Sequence, residues 1–314
     1  MRALNFLPLL LIFFYACTPA EPEPLTDYPN SHLLLQATEL PAVLATENIF
    51  LIDARAEVSD SIIPGSVHFP AISELTDPDH PVASFLIGPE IFQEKMRSIG
   101  LNNNDRVVIY DGGNSLAAAR LFYALDYYGF SNASLLNGGI EGWLNEGFSV
   151  QNMHHTKELG SFQFDVQEAK SCDITYVMEA ANDPNKIIFD ARSEDEYTGT
   201  EVRAERGGHI PNAVNLEWSK VLQPEGTPYF LPAQEIQDIY SSLGITPDKE
   251  VIPHCHTNVR GSHAYFTLRL MGYDSVRPYE GSWALSVSAV SVRNCLQAVS
   301  RSGTIIILRG MEVQ

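Results

Sequence analysis

The sequence predicts an α/β fold made of two tandem copies of one domain, each a parallel β-sheet flanked by helices. Two observations predict it. Short β-branched apolar segments alternate with stretches of helical period, which is typical of βαβ units. The same pattern also occurs twice along 314 residues, a length that suits about two domains.

The duplication is visible in short motifs. Four segments of the first half recur in the second half in the same order, which general α/β similarity would not produce. The pairs are FLIDAR (50–55) with IIFDAR (187–192), IPGSVHFP (63–70) with IPNAVNLE (210–217), SIGLNNNDRVVIYDGGN (98–114) with SLGITPDKEVIPHCHTN (242–258), and YYGFSNASLLNGGIEGW (127–143) with LMGYDSVRPYEGSW (270–283).

The predicted elements place two loops at the functional edge of their sheets. The predicted strands lie at 49–52, 107–110, 187–189 and 250–252, and the predicted helices lie at 116–128 and 262–270. Ligands of parallel sheets bind beyond the carboxyl ends of the strands, where the loops after 107–110 and 250–252 lie. Pro253 lacks a backbone N–H, so a bulge or a strand end is expected there.

The repeats divide the chain into a first domain at 32–150, a linker at 151–168 and a second domain at 169–285. The tail at 286–314 carries three arginines and one glutamate, against the acidic bias of the rest. It is interpreted either as an added strand centred on 305–308 or as a reading-frame artefact in the source gene.

The amino terminus indicates export. Arg2 precedes an apolar run that is too short to span a bilayer, so residues 1–16 are expected to be a signal peptide. The run ends at Ala16-Cys17, which resembles the lipobox of bacterial lipoproteins, and a Pro/Glu-rich tether at 17–31 follows. The resemblance implies a periplasmic protein anchored by a lipid on Cys17. A plain secretory signal is the alternative.

Charge limits the partners. The formal net charge is −19, from 39 acidic and 20 basic residues, so the surface repels nucleic acid and offers no general attraction to anionic membranes. A small anionic ligand would therefore need a locally basic pocket. Nothing in the motifs indicates an oligomer, and we expect a monomer.

The segment HCHTNVRGS (254–262) has the form of an anion-binding loop. Cys255 follows a strand and precedes a helix, so loop N–H groups and the helix N-terminus can converge on one point and favour the reactive thiolate. Asn258 suits a left-handed position. Arg260 supplies a cation, and His256 is a candidate for a second. The alternative is that Cys255 is a buried structural thiol.

The other cysteines and Arg192 have plainer interpretations. Apart from Cys17, the odd set Cys172, Cys255 and Cys295 argues against a disulfide framework, and we expect Cys172 and Cys295 to be inert. No histidine–cysteine spacing indicates a metal site. Arg192 either pairs with Asp190 or contacts substrate.

At these motifs the chain resembles the rhodaneses, the thiosulfate and 3-mercaptopyruvate sulfurtransferases. The second half carries their DAR (190–192), GGHIPNAVNL (207–216), Cys-loop-Arg (255–260) and YEGSW (279–283), and the first half resembles their non-catalytic domain. The resemblance implies that Cys255 becomes a persulfide and passes its sulfur to a thiol or cyanide, without a cofactor. It implies that the substrate contacts the loop and Arg192. The loop residues concerned are His256, Thr257, Asn258, Val259 and Arg260.

The donor is expected to be thiosulfate. The mercaptopyruvate branch of the family usually has a small neutral loop, whereas His256 and Arg260 suit a dianion such as thiosulfate. The alternative donor is 3-mercaptopyruvate. Aligning Asn114 with Asn258 puts Asp111 opposite Cys255 and Leu116 opposite Arg260. The first domain is therefore expected to be non-catalytic.

Two further functions remain open. Rhodanese-like phosphatases and arsenate reductases use Cys-x5-Arg, one residue longer than the Cys-x4-Arg of Cys255 and Arg260. A non-catalytic binding lipoprotein with the same fold would be expected to lose the cysteine, which the second domain has kept.

Overall fold

The computed structural model describes residues 24–57 and 60–287. The predicted signal peptide, residues 17–23 of the tether with Cys17, Cys295 and all but the first two residues of the tail lie outside the described residues. Within the described part of the chain, no helix is long and apolar enough to cross a bilayer.

The first copy contains a five-stranded, all-parallel sheet. Its strands are β1 Leu34–Leu35, β2 Ile49–Asp53, β3 Val67–His68, β4 Arg106–Tyr110 and β5 Ala133–Leu136, and they lie in the order β1-β5-β4-β2-β3. Its helices are α1 Leu40–Thr46, α2 Ala71–Glu74, α3 Pro89–Ser98, α4 Leu116–Tyr127 and α5 Gly139–Asn145. The central strands are buried on both faces, as expected for a parallel sheet covered by helices.

The second copy repeats this arrangement with shorter pairings. Its strands are β6 Lys186–Asp190, β7 Val214–Asn215 and β8 Glu250–His254, in the parallel order β7-β6-β8. Two parallel bridges, Val251 with Val276 and Cys172 with Tyr279, take the places of the remaining strands. Its helices are α6 Ile174–Ala180, α7 Glu194–Thr198, α8 Ala233–Ser242, α9 Val259–Leu270 and α10 Ser282–Ser286. The prediction of an α/β fold in two copies, each with a parallel sheet, is confirmed.

The two copies share one hydrophobic core. Helices α4 and α9 stand at equivalent places and pack against each other through ring contacts between Phe122 and Phe266 and between Tyr123 and Tyr265. Both helices are buried almost all round, which a helix tolerates only when other elements cover every side. The loop before α4 and the loop before α9 are therefore each backed by the other copy of the domain.

The expected linker belongs to the folded structure. Residues 152–167, all of them described, form no helix or strand, yet they are bound along the first copy. Phe162 is buried and its N–H donates to the carbonyl of Leu101, while the Asp165 N–H donates to the carbonyl of Tyr128. The segment is thus held by backbone hydrogen bonds rather than free in solvent.

Candidate active site

Cys255 lies directly after β8, at the carboxyl edge of the second sheet, and is only 1% exposed. The segment that begins α10 fixes its backbone. The Cys255 N–H donates to Ser282 Oγ at 3.4 Å, and the Cys255 carbonyl accepts from the Trp283 N–H at 3.0 Å. Ser282 itself adopts a left-handed conformation, with φ of 51°. The Gly-Ser-Trp motif therefore clamps the residue that carries the thiol.

The loop after Cys255 is shorter than predicted, because α9 begins at Val259 rather than at 262. Asn258 has φ of 61° and ψ of 10°, the left-handed conformation expected from its residue type, and it is the N-cap of α9. Val259 and Arg260 are consequently first-turn residues. Their backbone N–H groups belong to the positive end of the helix dipole.

Six consecutive backbone N–H groups surround this turn. Among the residues that the structure describes, none accepts a hydrogen bond from the N–H groups of residues 256–261. The next N–H, that of Ser262, donates to the Asn258 carbonyl in the regular helical pattern. Buried or half-buried N–H groups normally have partners, so this series is suited to an anion.

The equivalent loop of the first copy shows how such a turn binds an anion. Asp111 follows β4 as Cys255 follows β8, and Ser115, with φ of 62°, caps α4 as Asn258 caps α9. The Asp111 carboxylate accepts hydrogen bonds at 2.9–3.3 Å from four backbone N–H groups, those of Gly113, Ser115, Ala117 and Ala118. Burial raises the pKa of Asp111, although these donors favour its ionised form.

This comparison corrects one expectation from the sequence. The first loop has one more residue than the second, so the caps Ser115 and Asn258 are equivalent and Ala117, not Leu116, lies opposite Arg260. Asp111 still lies opposite Cys255. The first loop therefore lacks both the thiol and the cation.

Arg260 is held by a buried acid. Its guanidinium donates to both carboxylate oxygens of Glu196, with Nη2 to Oε1 at 2.9 Å. Burial alone would raise the pKa of Glu196, but the hydrogen bonds and charge of Arg260, together with Arg203, lower it to about 2. Burial opposes the charge of Arg260, yet its interactions with Glu196 and with Cys255 raise its pKa. A permanent cation is thus positioned at the thiol.

The surroundings of His256 disfavour a second cation. Burial, followed by the charge of Arg203, lowers the pKa of His256, which favours the neutral imidazole. Its Nδ1 is buried and has no hydrogen-bond partner within residues 24–57 and 60–287. Thr257 and Val259 are half-buried residues of the same turn.

Arg192 makes the contacts of a structural residue, which was the alternative to contact with substrate. Its guanidinium is buried and donates to both oxygens of Asp190, to the Gly208 carbonyl and to the Glu196 carbonyl. It also lies over the Trp283 ring, 4.7 Å from the ring centroid. These bonds join β6, α7 and α10 beneath the loop.

Three residues at this site were not predicted as functional. Glu196 anchors Arg260 from 64 positions away, and Glu280 and Arg120 approach the loop from behind. Only Glu280 had a signal in the sequence, as a member of the YEGSW motif. Cys172 is a free thiol that lines a cavity of about 650 Å³ between the copies, and Glu280 lines the same cavity. Among the described residues, no group of histidine, cysteine or acidic side chains could hold a metal ion.

Together, the fold and the site define a tandem α/β protein in which one of two related loops carries a thiol. The chain belongs to the rhodanese family, because the model of the rhodanese-like domain matches residues 36–146 and 173–287. The predicted resemblance to this family, with two copies of its domain, is confirmed.

Three relatives illustrate the similarity. The chain is 31% identical to the sulfur carrier protein TtuD of Thermus thermophilus over 84% of this chain and 93% of that protein. It is 29% identical to a thiosulfate sulfurtransferase of Azotobacter vinelandii over 82% and 94%, respectively. The crystal structure of SseA from Escherichia coli, described as a 3-mercaptopyruvate sulfotransferase, matches with a TM-score of 0.72 and 26% identity, over 80% of this chain and 98% of that one.

Proposed function

We propose that the protein is a sulfurtransferase that moves the outer sulfur of thiosulfate to a thiol or to cyanide through a persulfide on Cys255. One observation carries the proposal. Cys255 begins a turn whose counterpart in the first copy binds a carboxylate with four N–H groups, whereas in the second copy the corresponding N–H groups have no protein acceptor among the described residues. The relatives named as sulfurtransferases support the same activity.

The first half-reaction forms one S–S bond and breaks another. The Cys255 thiolate attacks the outer sulfur of thiosulfate, and sulfite leaves with the electron pair of the broken bond. Arg260 offsets the charge of the dianion as it approaches, and the loop N–H groups stabilise the anionic sulfur without donating a proton to it. Glu196 keeps the guanidinium oriented.

The second half-reaction restores the enzyme. A thiolate or cyanide attacks the terminal sulfur of the persulfide, and the Cys255 thiolate is the leaving group. The thiol of Cys255 is almost fully buried, but the added sulfur lies about 2 Å further out along the new bond. The acceptor therefore needs to reach only the rim of the turn.

A second donor is favoured by one observation. The match to SseA, at 26% identity, supports 3-mercaptopyruvate as an alternative donor at the same cysteine. Arg260, a permanent cation, favours thiosulfate, which carries two charges at the reacting group. A comparison of kcat/KM for the two donors decides between them.

One assay separates this function from its rivals. Thiocyanate is measured after incubation with thiosulfate and cyanide, for the wild type and for Cys255→Ser. The proposal requires thiocyanate from the wild type and none from the variant. Phosphatase or arsenate reductase activity without thiocyanate would assign the other cysteine chemistry, and inactivity in every assay would favour a binding lipoprotein.

We further propose that the protein is exported as a monomer and anchored to the membrane by a lipid on Cys17. The apolar run ending at Ala16-Cys17 supports this. Mass spectrometry of the mature amino terminus tests it: a lipidated Cys17 is expected, and an unmodified terminus at another residue would contradict the anchor. Cys17→Ser should release the exported chain from the membrane fraction.

A further inference from the structure

Glu280 links the two copies directly behind the active loop. It is only 6% exposed, and its carboxylate accepts from both terminal nitrogens of Arg120, at 2.6 Å and 3.1 Å. It also accepts from the Leu86 N–H at 2.9 Å and from Asn258 Nδ2 at 2.5 Å. Arg120 and Leu86 belong to the first copy, whereas Asn258 is the N-cap of α9, the helix that follows the active loop. One carboxylate therefore ties the first copy to the turn.

Arg120 also reaches the turn by a second route. Its Nη1 donates to Ser262 Oγ at 3.3 Å, and Ser262 Oγ donates to the Asn258 carbonyl at 2.7 Å. Asn258 is thus held at its side chain through Glu280 and at its backbone through Ser262. Because Asn258 is a non-glycine residue in the left-handed region, its conformation depends on such contacts.

The packing around Asn258 leaves little freedom. A Cβ at position 261 would lie 2.2 Å from Asn258 Oδ1, so only glycine fits there while the asparagine keeps its orientation. A shift of Asn258 would turn the N–H groups of residues 258–261, which bracket the helix start. The direction of those N–H groups is therefore coupled to Glu280 and Arg120.

We propose that Arg120 of the first copy is a positioning residue for the catalytic turn of the second copy, and that it acts through Glu280 on Asn258. This inference rests on the proposed sulfurtransferase function. It gives the copy without a thiol a specific part in the reaction: it supplies the guanidinium that orients the sulfur-binding N–H groups.

The equivalent contacts of the first copy support a functional origin. The Ile140 N–H donates to the Asp111 carbonyl as the Trp283 N–H does to Cys255, which makes Asn137 the counterpart of Glu280 and His263 the counterpart of Arg120. Asn137 Oδ1 accepts from the Phe230 N–H, as Glu280 does from Leu86, but its Nδ2 donates to Gln36. The ring nitrogens of His263 have no hydrogen-bond partner among the residues that the structure describes. In the described part of the chain, this charged series of contacts is therefore present behind the turn that carries Cys255 and not behind the turn that carries Asp111.

The test measures persulfide formation on Cys255 in a single turnover with thiosulfate, using the full chain. Arg120→Met is compared with Asp126→Asn, which removes a buried carboxylate from the same interface between the copies. The Asp126 carboxylate accepts from Tyr265 and Lys170, and none of its hydrogen bonds among the described residues reaches the turn. Circular dichroism and thermal unfolding establish that each variant is folded under the assay conditions.

We expect Arg120→Met to lower the maximal rate of persulfide formation by roughly 10-fold or more, because a small misplacement of binding groups has a large effect on the rate. The apparent Kd for thiosulfate should change by less than about 3-fold, since Glu196 rather than this network orients Arg260. Arg120→Lys should recover most of the rate, and Asp126→Asn should keep the wild-type rate.

Two further variants keep the inference falsifiable if Arg120→Met does not fold. Glu280→Gln weakens the same link, and the double variant Arg120→Met/Glu280→Gln leaves no unpaired buried charge. The effects of Arg120→Met and Glu280→Gln on the rate of persulfide formation should be strongly non-additive, because both substitutions act through Asn258. Additive effects, or a rate for the folded Arg120 or Glu280 variants equal to that of Asp126→Asn, would overturn the inference.

The two proposals fail in different ways. If the wild type forms no persulfide with either sulfur donor, the proposed function is wrong. If the wild type forms it and the variants of Arg120 and Glu280 do so at the same rate, only the positioning role is wrong.

Discussion

Asp111 and Cys255 occupy the same place in two copies of one domain, and each begins a turn rich in backbone N–H groups. In the first copy the side chain itself is the anion, and four N–H groups bind its carboxylate. In the second copy the side chain is a thiol, whose anionic forms are the thiolate and the persulfide. The same backbone geometry thus serves a structural purpose in one copy and a chemical purpose in the other.

Asp111→Ala should turn the first loop into a site for free anions. Without the carboxylate, the four N–H groups lose their acceptor and the variant should unfold at a lower temperature than the wild type. Sulfate should then raise its unfolding midpoint more steeply than that of the wild type, because a ligand that binds only the native state stabilises it. Equal sulfate dependence in thermal unfolding would show that the turn does not bind anions by itself.

Arg260 should matter through its charge and its fixed direction. Arg260→Ala is expected to lower kcat/KM for thiosulfate by about 10²-fold, and Arg260→Lys by about 10-fold, because lysine keeps the charge but not the paired contact with Glu196. Steady-state thiocyanate formation measures both effects.

Arg203 provides the matched control for this prediction. It lies 3.6 Å from the same carboxylate of Glu196, but its side chain is 51% exposed. Arg203→Ala should change kcat/KM by less than about 3-fold. If kcat/KM fell as far in Arg203→Ala as in Arg260→Ala, the total positive charge near the site, rather than one positioned guanidinium, would promote the reaction.

At the scale of elements, β8 and α9 position the Cys255 thiol, and Pro253 determines how the segment next to β8 pairs with this strand. Of the two alternatives expected at Pro253, the bulge is not formed, because β8 keeps an unbroken register with β6 through Pro253, and the strand end follows one residue later, at His254. The missing N–H instead faces the segment at 275–279. That segment donates to Val251 and Pro253, but the Arg277 carbonyl receives no N–H from position 253 and accepts from the Cys172 thiol at 3.6 Å. This explains why the pairing there is reduced to bridges.

The left-handed caps of α4 and α9 allow a matched test of the active turn. Asn258→Gly keeps the backbone conformation but loses the bond to Glu280, whereas Asn258→Ala adds the steric cost of a left-handed residue, about 1–2 kcal/mol. We expect thiocyanate formation to decrease in the order wild type, Asn258→Gly, Asn258→Ala.

Ser115 is the corresponding residue of the first copy. Ser115→Gly should relieve the same backbone strain and leave the rate of thiocyanate formation unchanged. Full activity of Asn258→Gly would show that Asn258 contributes only its backbone conformation.

The sequence predicted most of the fold and the centre of the site, but not the contacts between distant segments. The duplication and the strand–helix alternation are local patterns, and Cys255, Asn258 and Arg260 lie within six residues of one another. Glu196 and Arg120 reach the turn across 64 and 142 positions, respectively, through packing that no local pattern encodes. The lowered pKa of His256 could not be predicted, because it depends on burial, which becomes known only in the folded chain.

At the scale of the whole molecule, His263 couples the core to pH. Its ring stacks on Phe230 and contacts Trp218, and burial lowers its pKa to about 3. The unfolded chain binds a proton at this position below about pH 6.5, while the native protein does not until about pH 3. Stability is therefore complete above pH 6.5 and declines as the pH falls towards 3, by up to about 1.4 kcal/mol per pH unit.

His263→Phe should remove this pH-dependent contribution to the free energy of unfolding. Urea unfolding of both proteins between pH 7 and pH 4 is expected to give curves whose difference changes with pH, with the wild type losing more stability. Glu196, whose pKa is lowered to about 2, loses its contribution only as the pH falls below 4.5 and does so in both proteins. Parallel stability curves would contradict the buried neutral state of His263.

The most direct measurement is the mass of the peptide that contains Cys255 after the protein has been incubated with thiosulfate and separated from it. The account predicts a gain of one sulfur atom on this peptide, one equivalent of released sulfite, and loss of the added sulfur when cyanide is supplied. No gain on Cys255, or a gain on Cys172 instead, would contradict it.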